Sequence, residues 1–339
     1  MPCALCCGPP PQFKQLRNAQ PSVLVPTPRI VGFDVSGVVL SAGEGTPFRI
    51  GDRVFGMLPL VGSPWGALAE VTAADARCFA KAPTSISLAE AAALPLVALT
   101  VMQVFRQASL VPIESEGGEP HPRLRQRMLV HAAAGGVGSF AVQYARHVLG
   151  FGEVVGTCSA RNAERVRALG ATATVDYLAE PFETAVQAMG GVDAVLDPMA
   201  WQYMRRALAP AAGVLRPAAK YCHILSTDWA ANAAEASVLT VLDGPLAKWH
   251  SRLARLVRRG APQVFTTPVQ PDGEGLAELA RMVDNGQVRP VIDRYYDGLD
   301  SAAEAFEHLL TGHARGKVVI RIGDPPDADP DPAATPAAV

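Results

Sequence analysis

Between residues 128 and 218, short β-rich runs alternate with helical patterns, and no other feature constrains this chain as much. Strands are expected at 128–131, 154–158, 173–177, 192–197 and 214–218. Helices are expected to run on to 149 after the first strand and then at 162–169, 182–189 and 201–208. A strand that returns in the same direction after each helix needs a right-handed crossover, and repeated crossovers build a parallel sheet. The spacing therefore predicts a doubly wound parallel α/β domain, with residues 263–267 as its last strand.

The flanks read differently. Residues 1–28 are loaded with Pro, Gly and Cys, so an irregular lead-in is expected, with a helical turn only at 13–18. Residues 29–39, 53–57, 67–72 and 77–81 are β-rich and punctuated by Gly and Pro, the pattern of a small all-β unit. Ser87 with Glu90 three residues later has capping-box spacing for a helix over 85–93, Pro95 ends or kinks it, and a second helix follows at 100–108. Residues 114–127 form a polar excursion, and 220–260 contains helical stretches, 246–259 among them, without a motif. Beyond these a helix at 275–284, a strand at 288–295, a helix at 301–310 and a strand at 317–322 are expected. Residues 324–339 are Pro, Asp and Ala and are expected to form a disordered tail.

Composition excludes several classes. The chain has 339 residues, 49% of them hydrophobic, enough to bury one or two cores. With 18% charged residues and a net charge of −2 it lacks the basic footprint of a nucleic-acid or anionic-lipid binder. The apolar stretch 91–104 is broken by Pro95 and Gln103 and is too short for a membrane span. Six scattered cysteines suit a reducing compartment, and the Cys3, Cys6, Cys7 cluster lacks a second ligand pair for zinc. No signal or transit pattern is evident, so a cytoplasmic or mitochondrial location is expected.

The strongest local motif is Ala133-Ala134-Gly135-Gly136-Val137-Gly138, an A-x-G-x-x-G form of the dinucleotide fingerprint between an expected strand and helix. Gly135 would admit a pyrophosphate, Gly138 would let helix and strand pack, and the first amides of the helix would receive the phosphates. The alternative is a purely structural tight turn. Where NAD-binding chains place an acid at the end of the second strand, this one has Cys158-Ser159-Ala160-Arg161-Asn162, with Arg165 and Arg167 following. A hydroxyl and guanidinium groups suit a 2′-phosphate, favouring NADPH over NADH, unless the arginines only solvate a helix face. Cys78 and the histidines at 121, 131, 147, 223, 250, 308 and 313 form no catalytic-zinc pattern. His131, beside the fingerprint, reads as a core histidine rather than a base.

Taken in order, these motifs resemble the medium-chain dehydrogenase/reductase superfamily, in its zinc-independent branch of quinone oxidoreductase-like and enoyl reductase-like proteins. The resemblance runs through the segments 30–39, 51–54 and 91–95 with Thr100, then 132–138, 169–171, Asp176-Tyr177 and 312–319. The stretch Val288-Arg-Pro-Val-Ile-Asp293, together with 312–319, looks most like the group of the mitochondrial reticulon-interacting oxidoreductase. Gly32-Phe33-Asp34 stands where the zinc-dependent branch has Gly-His-Glu.

The resemblance implies a GroES-like β-barrel catalytic domain from residues 29–104 and 269–323, N-terminally shortened, with a Rossmann domain at 105–268 and NADPH as cofactor. It implies that Gly135, Gly136, Val137 and Gly138 contact the pyrophosphate and that Ser159, Arg167 and Tyr177, with Arg161 nearby, meet the 2′-phosphate. Thr100 would lie by the nicotinamide, Lys317 near the cofactor, and a homodimer is possible. Pro9 and Gln12 stand in for an Asn and an Asp that border the family's active site, and Asp197-Pro198-Met199 replaces a common Val-Gly turn. The expected activity is NADPH-dependent, zinc-free reduction of a small-molecule quinone or α,β-unsaturated carbonyl, with the catalytic residues unassigned. The alternatives are an enoyl-thioester reductase of fatty acid or polyketide assembly and an inactive NADPH-binding scaffold with a truncated barrel.

Overall fold

The computed structural model describes residues 3–5, 30–59, 65–113, 122–199, 201–224, 260–266 and 268–323. The expectations for the helical turn at 13–18, for Pro9 and Gln12, for a helix at 246–259 and for the tail at 324–339 lie outside the described residues. The chain divides into two compact units, Met1–Leu99 with Val269–Val339, and Thr100–Pro268.

In chain order, the first unit opens with β1 (Cys3–Leu5), β2 (Asp34–Val38), β3 (Arg53–Met57), β4 (Phe79–Lys81) and α1 (Leu88–Ala91). The division falls inside α2 (Pro95–Gln107). The second unit runs β5 (Arg127–Val130), α3 (Gly136–Gln143), β6 (Glu153–Cys158), α4 (Ala163–Ala168), β7 (Ala173–Asp176), α5 (Phe182–Ala188), β8 (Val192–Asp197), α6 (Trp201–Leu208), β9 (Leu215–His223) and β10 (Gln263–Thr266). The chain then returns to the first unit with α7 (Gly273–Asp284), β11 (Ile292–Asp297), α8 (Ala302–Leu310) and β12 (Lys317–Arg321). Among the described residues, no helix is long and apolar enough to cross a membrane.

The second unit is the doubly wound sheet, of six strands in the order β10-β9-β8-β5-β6-β7, with every pairing parallel. Val130 faces both Gly156 and Leu196 in register, and Leu196 faces Cys222, so the carboxyl ends of the central strands finish level. One face buries Leu129, Val155, Val195 and Tyr221 against Phe182 and Val186 of α5 and Met204 of α6. Each such side chain contributes about 1.5–3 kcal/mol by leaving water.

The first unit is a sheet ordered β11-β12-β1-β2-β3-β4. Residues 1–28 are therefore not wholly an irregular lead-in: Cys3–Leu5 pairs antiparallel with both β12 and β2. The reason is ladder satisfaction, since the facing edges of β12 and β2 need partners for their backbone groups. The expected strand at 67–72 does not form. Ala67 and Leu68 bond only to the carbonyls of Gly32 and Val31, and the segment then bends away.

Ser87 and Glu90 form the reciprocal capping box of α1. Helix α2 starts at Pro95, ahead of the expected residue 100, because Pro suits the first helical position. A buried carboxylate also holds that start: Asp34 Oδ1 accepts the Leu96 N–H at 2.6 Å while Oδ2 accepts from Lys317 Nζ at 2.6 Å. Asp34 is 0% and Lys317 1% exposed. Burial pushes the Asp34 carboxyl above its ordinary range, and Lys317 pulls it back.

Lys317→Met leaves that carboxyl buried without its cation, a loss of about 3–5 kcal/mol. A carboxyl whose folded pKa is raised contributes stability at low pH that disappears as pH climbs through the folded value. The gap in urea midpoint between variant and native protein should therefore widen from about pH 5 to about pH 8, and adding Asp34→Asn should flatten it. An equal gap at both pH values would contradict the pairing.

Candidate functional site

The fingerprint follows β5 directly and is pinned by both neighbouring strands. His131 N–H donates to Leu196 O at 3.0 Å, Ala133 N–H to Thr157 O at 2.9 Å, and Ala132 N–H to Thr157 Oγ1 at 3.1 Å. Gly135 is the N-cap of α3, and its own amide turns inward to Ala132 O at 2.9 Å. It therefore caps the helix rather than donating outward. The amides of Gly136, Val137 and Gly138 meet no acceptor among the described residues, which is the arrangement that makes a helix start receptive to phosphate. Gly138 also sets how closely the helix packs, because a Cβ there would collide with the carbonyl oxygen of Ala132, and only glycine allows α3 this near to the loop. At Gly135 the nearest atom would be 3.3 Å away.

His131 is fully buried beneath the loop, with Nδ1 3.3 Å from Thr157 Oγ1 and the ring against Phe182 and Tyr203. Burial lowers its pKa to about 4, so it stays neutral near pH 7 and supports the loop as a core residue. Its Nε2 has no partner among the described residues.

Of the 2′-phosphate candidates, Ser159, Arg161 and Tyr177 follow two adjacent carboxyl ends, since Cys158 and Asp176 are register partners in β6 and β7, while Arg167 lies nearer the start of β7. Ser159 follows β6, is buried, and accepts a hydrogen bond from Asn162 Nδ2 at 3.2 Å. Arg161 is exposed on the turn Ala160–Asn162, and Tyr177, 51% exposed, follows β7. Arg167 on α4 reaches across to β7, donating to Thr174 Oγ1 at 2.9 Å. Asp176 belongs to this neighbourhood as well, and burial together with that carboxylate pushes the Cys158 thiol up.

The ends of β8 and β9 hold a cluster to which the sequence assigned no role. Asp197, wholly buried, accepts from Tyr221 Oη at 2.6 Å and Met199 N–H at 2.8 Å, with His223 Nδ1 3.7 Å away. Burial and this carboxylate push the Tyr221 hydroxyl well above its ordinary value. Asp197 stood out in the sequence only as part of the Asp197-Pro198-Met199 departure, and Tyr221 and Thr157 only as polar residues inside apolar runs. Thr100 is buried on α2, and the Lys317 ammonium of the first unit donates to Asp34 Oδ2.

A catalytic zinc needs three convergent donors. Among the described residues no three His, Cys, Asp or Glu side chains converge, and both oxygens of Asp34 are already engaged.

Comparisons with known proteins agree on one lineage. Residues 12–84 match the family model for the alcohol dehydrogenase GroES-like domain, and residues 169–320 match that for zinc-binding dehydrogenase. The chain is 31% identical over 301 residues to the mitochondrial NAD(P)H oxidoreductase RTN4IP1 of Danio rerio, covering 87% of this chain and 72% of that protein. It is 31% identical over 317 residues to 2-methylene-furan-3-one reductase of Solanum lycopersicum, covering 92% and 68%. The solved quinone oxidoreductase from Coxiella burnetii superposes with a TM-score of 0.68 at 25% identity, covering 95% of this chain and 90% of that one.

The two glycines of the loop should separate in thermal melts followed by circular dichroism. Gly138→Ala, forced against backbone, should lose about 1–3 kcal/mol, while Gly135→Ala should stay within about 1 kcal/mol of the native protein. His131 has a depressed folded pKa, so the stability it contributes is present above its unfolded value and is lost as pH falls from about 6.5 toward 4. Over that window His131→Leu should show a shallower fall in urea midpoint than the native protein; matching slopes would show that His131 is not the titrating group.

Proposed function

Because the chain belongs to the medium-chain dehydrogenase/reductase superfamily, in its quinone oxidoreductase-like branch, we propose that this oxidoreductase uses NADPH to reduce quinones or α,β-unsaturated carbonyls without zinc. The observation that carries the reading is the pairing of a free-amide helix start after β5 with a hydroxyl and a guanidinium, Ser159 and Arg161, after β6. The first suits a diphosphate and the second a 2′-phosphate.

In this reading the amides of Gly136, Val137 and Gly138 hold the diphosphate, and Gly135 shapes their approach as the cap. Ser159, Arg161, Arg167 and Tyr177 receive the 2′-phosphate. When bound, the nicotinamide supplies a hydride to an electron-poor carbon or quinone ring. Such acceptors need alignment and a hydrogen bond to the oxygen where charge develops, and little further acid–base machinery. Thr100 is the pocket residue proposed for that alignment, and no catalytic residue is assigned beyond it. The zinc-free assignment is supported by Phe33 in place of a histidine ligand and by the prior engagement of Asp34 with Lys317 and Leu96.

Thermal-shift titration provides the first test, because a ligand at about 100 times its Kd stabilises the folded form by about 2.7 kcal/mol. NADPH should raise Tm at concentrations where NADH does not, and Ser159→Ala should narrow the difference; equal shifts would remove the 2′-phosphate assignment. NADPH oxidation should then appear with 1,4-benzoquinone or a 2-alkenal. Turnover confined to enoyl thioesters would move the substrate class to acyl chains, and NADPH binding without turnover on any acceptor would leave a binding scaffold.

A further inference from the structure

We propose that Asn162 is a positioning residue for the adenosine end of the cofactor site, fixing the direction in which the Ser159 hydroxyl donates. The inference rests on the reading of Ser159 as a 2′-phosphate contact and adds to it a residue that acts through Ser159.

The argument is one of hydrogen-bond valence. A serine hydroxyl has one hydrogen to give and two lone pairs to offer. Asn162 Nδ2 donates to Ser159 Oγ at 3.2 Å, so the serine is the acceptor in that bond and its hydrogen is not used there. No described residue accepts that hydrogen. The main chain makes the pair rigid: Asn162 N–H donates to Ser159 O at 2.9 Å, closing the turn Ala160–Asn162.

Burial sharpens the point. Ser159 is 7% and Asn162 9% exposed, and Asn162 Oδ1 has no partner among the described residues. A buried hydroxyl hydrogen with no acceptor is costly to leave unmade, so it is poised for an incoming one. A 2′-phosphate answers the serine donor, because phosphate oxygens accept. The surrounding charge is mixed, a guanidinium on the turn and a carboxylate on the next strand. Arg161 lies exposed on the same turn, and burial keeps the adjacent Cys158 thiol neutral. Asp176, one strand away, is the carboxylate nearest in register. Without the Asn162 amide the hydroxyl could rotate toward a backbone carbonyl and present a lone pair to the phosphate instead.

Calorimetric titration of the full chain with 2′,5′-ADP and with 5′-ADP tests this without any nicotinamide chemistry. The native protein should prefer 2′,5′-ADP, and Asn162→Ala should reduce that preference about tenfold, the effect of one hydrogen bond to a charged group. Ser159→Ala should do the same, and Asn162→Ala added to Ser159→Ala should reduce the ratio no further, as expected for residues acting as a unit. Should Asn162→Ala fail to fold, Asn162→Gln moves the amide out of place and should show the same loss. An unchanged ratio, equal loss for both nucleotides, or additive effects in the double variant would overturn the role of Asn162 alone. A native protein that binds both nucleotides equally would overturn the 2′-phosphate reading together with it.

Discussion

A parallel strand cannot be joined to its neighbour by a tight turn, because the chain must first travel back to the sheet's other end. That constraint organises the second unit. From β5 to β9 each return trip is made by a helix, and every trip starts from the same edge, so the loops leaving β5, β6 and β8 collect there whatever their sequences. The helix start with unbonded first amides, the Ser159–Asn162 turn and the Asp197 cluster all emerge from this edge. General rules for doubly wound sheets put ligands at the point where the winding reverses, here between β5 and β8.

The first unit depends on a different interaction, the buried contact of Asp34 with Lys317 and the Leu96 amide. Its two halves are far apart in sequence, and one carboxylate joins them by receiving the first residue of β12 and the first turn of α2 at once. An apolar replacement could pack equally well. The ion pair, however, ties the start of α2 to one partner in a sheet where apolar surfaces could slide.

Local signals were legible where local physics decides. The bounds of β3 and β8 follow from their β-rich runs, and the capping box at Ser87 and Glu90 formed as its spacing requires. The fingerprint stood out for the same reason, since close packing of α3 on the loop demands glycine at 138. What escaped depends on partners distant in sequence. Three residues at β1 hold no pattern of their own and become a strand only between β12 and β2. Strand β9 continues past Pro217 because a register shift lets the chain bulge there, while Ala218 N–H bonds to Gly260 O at 2.7 Å. Within the site, Thr157 accepts from the Ala132 amide and Asn162 donates to the Ser159 hydroxyl, side-chain hydrogen bonds that no periodicity announces.

The placement of β1 and β12 at the middle of one sheet bears on how the polypeptide is made. Thr100–Pro268 is continuous and can close its core as soon as it leaves the ribosome. The other sheet must wait, since β2 to β4 emerge early while β11 and β12 are translated near the end. Until then the nascent chain displays the unpaired edge of β1 that β12 later covers, the kind of surface that chaperones bind and that aggregation exploits. Truncations that remove β12 should therefore act as assembly defects of this sheet rather than as losses of a peripheral element.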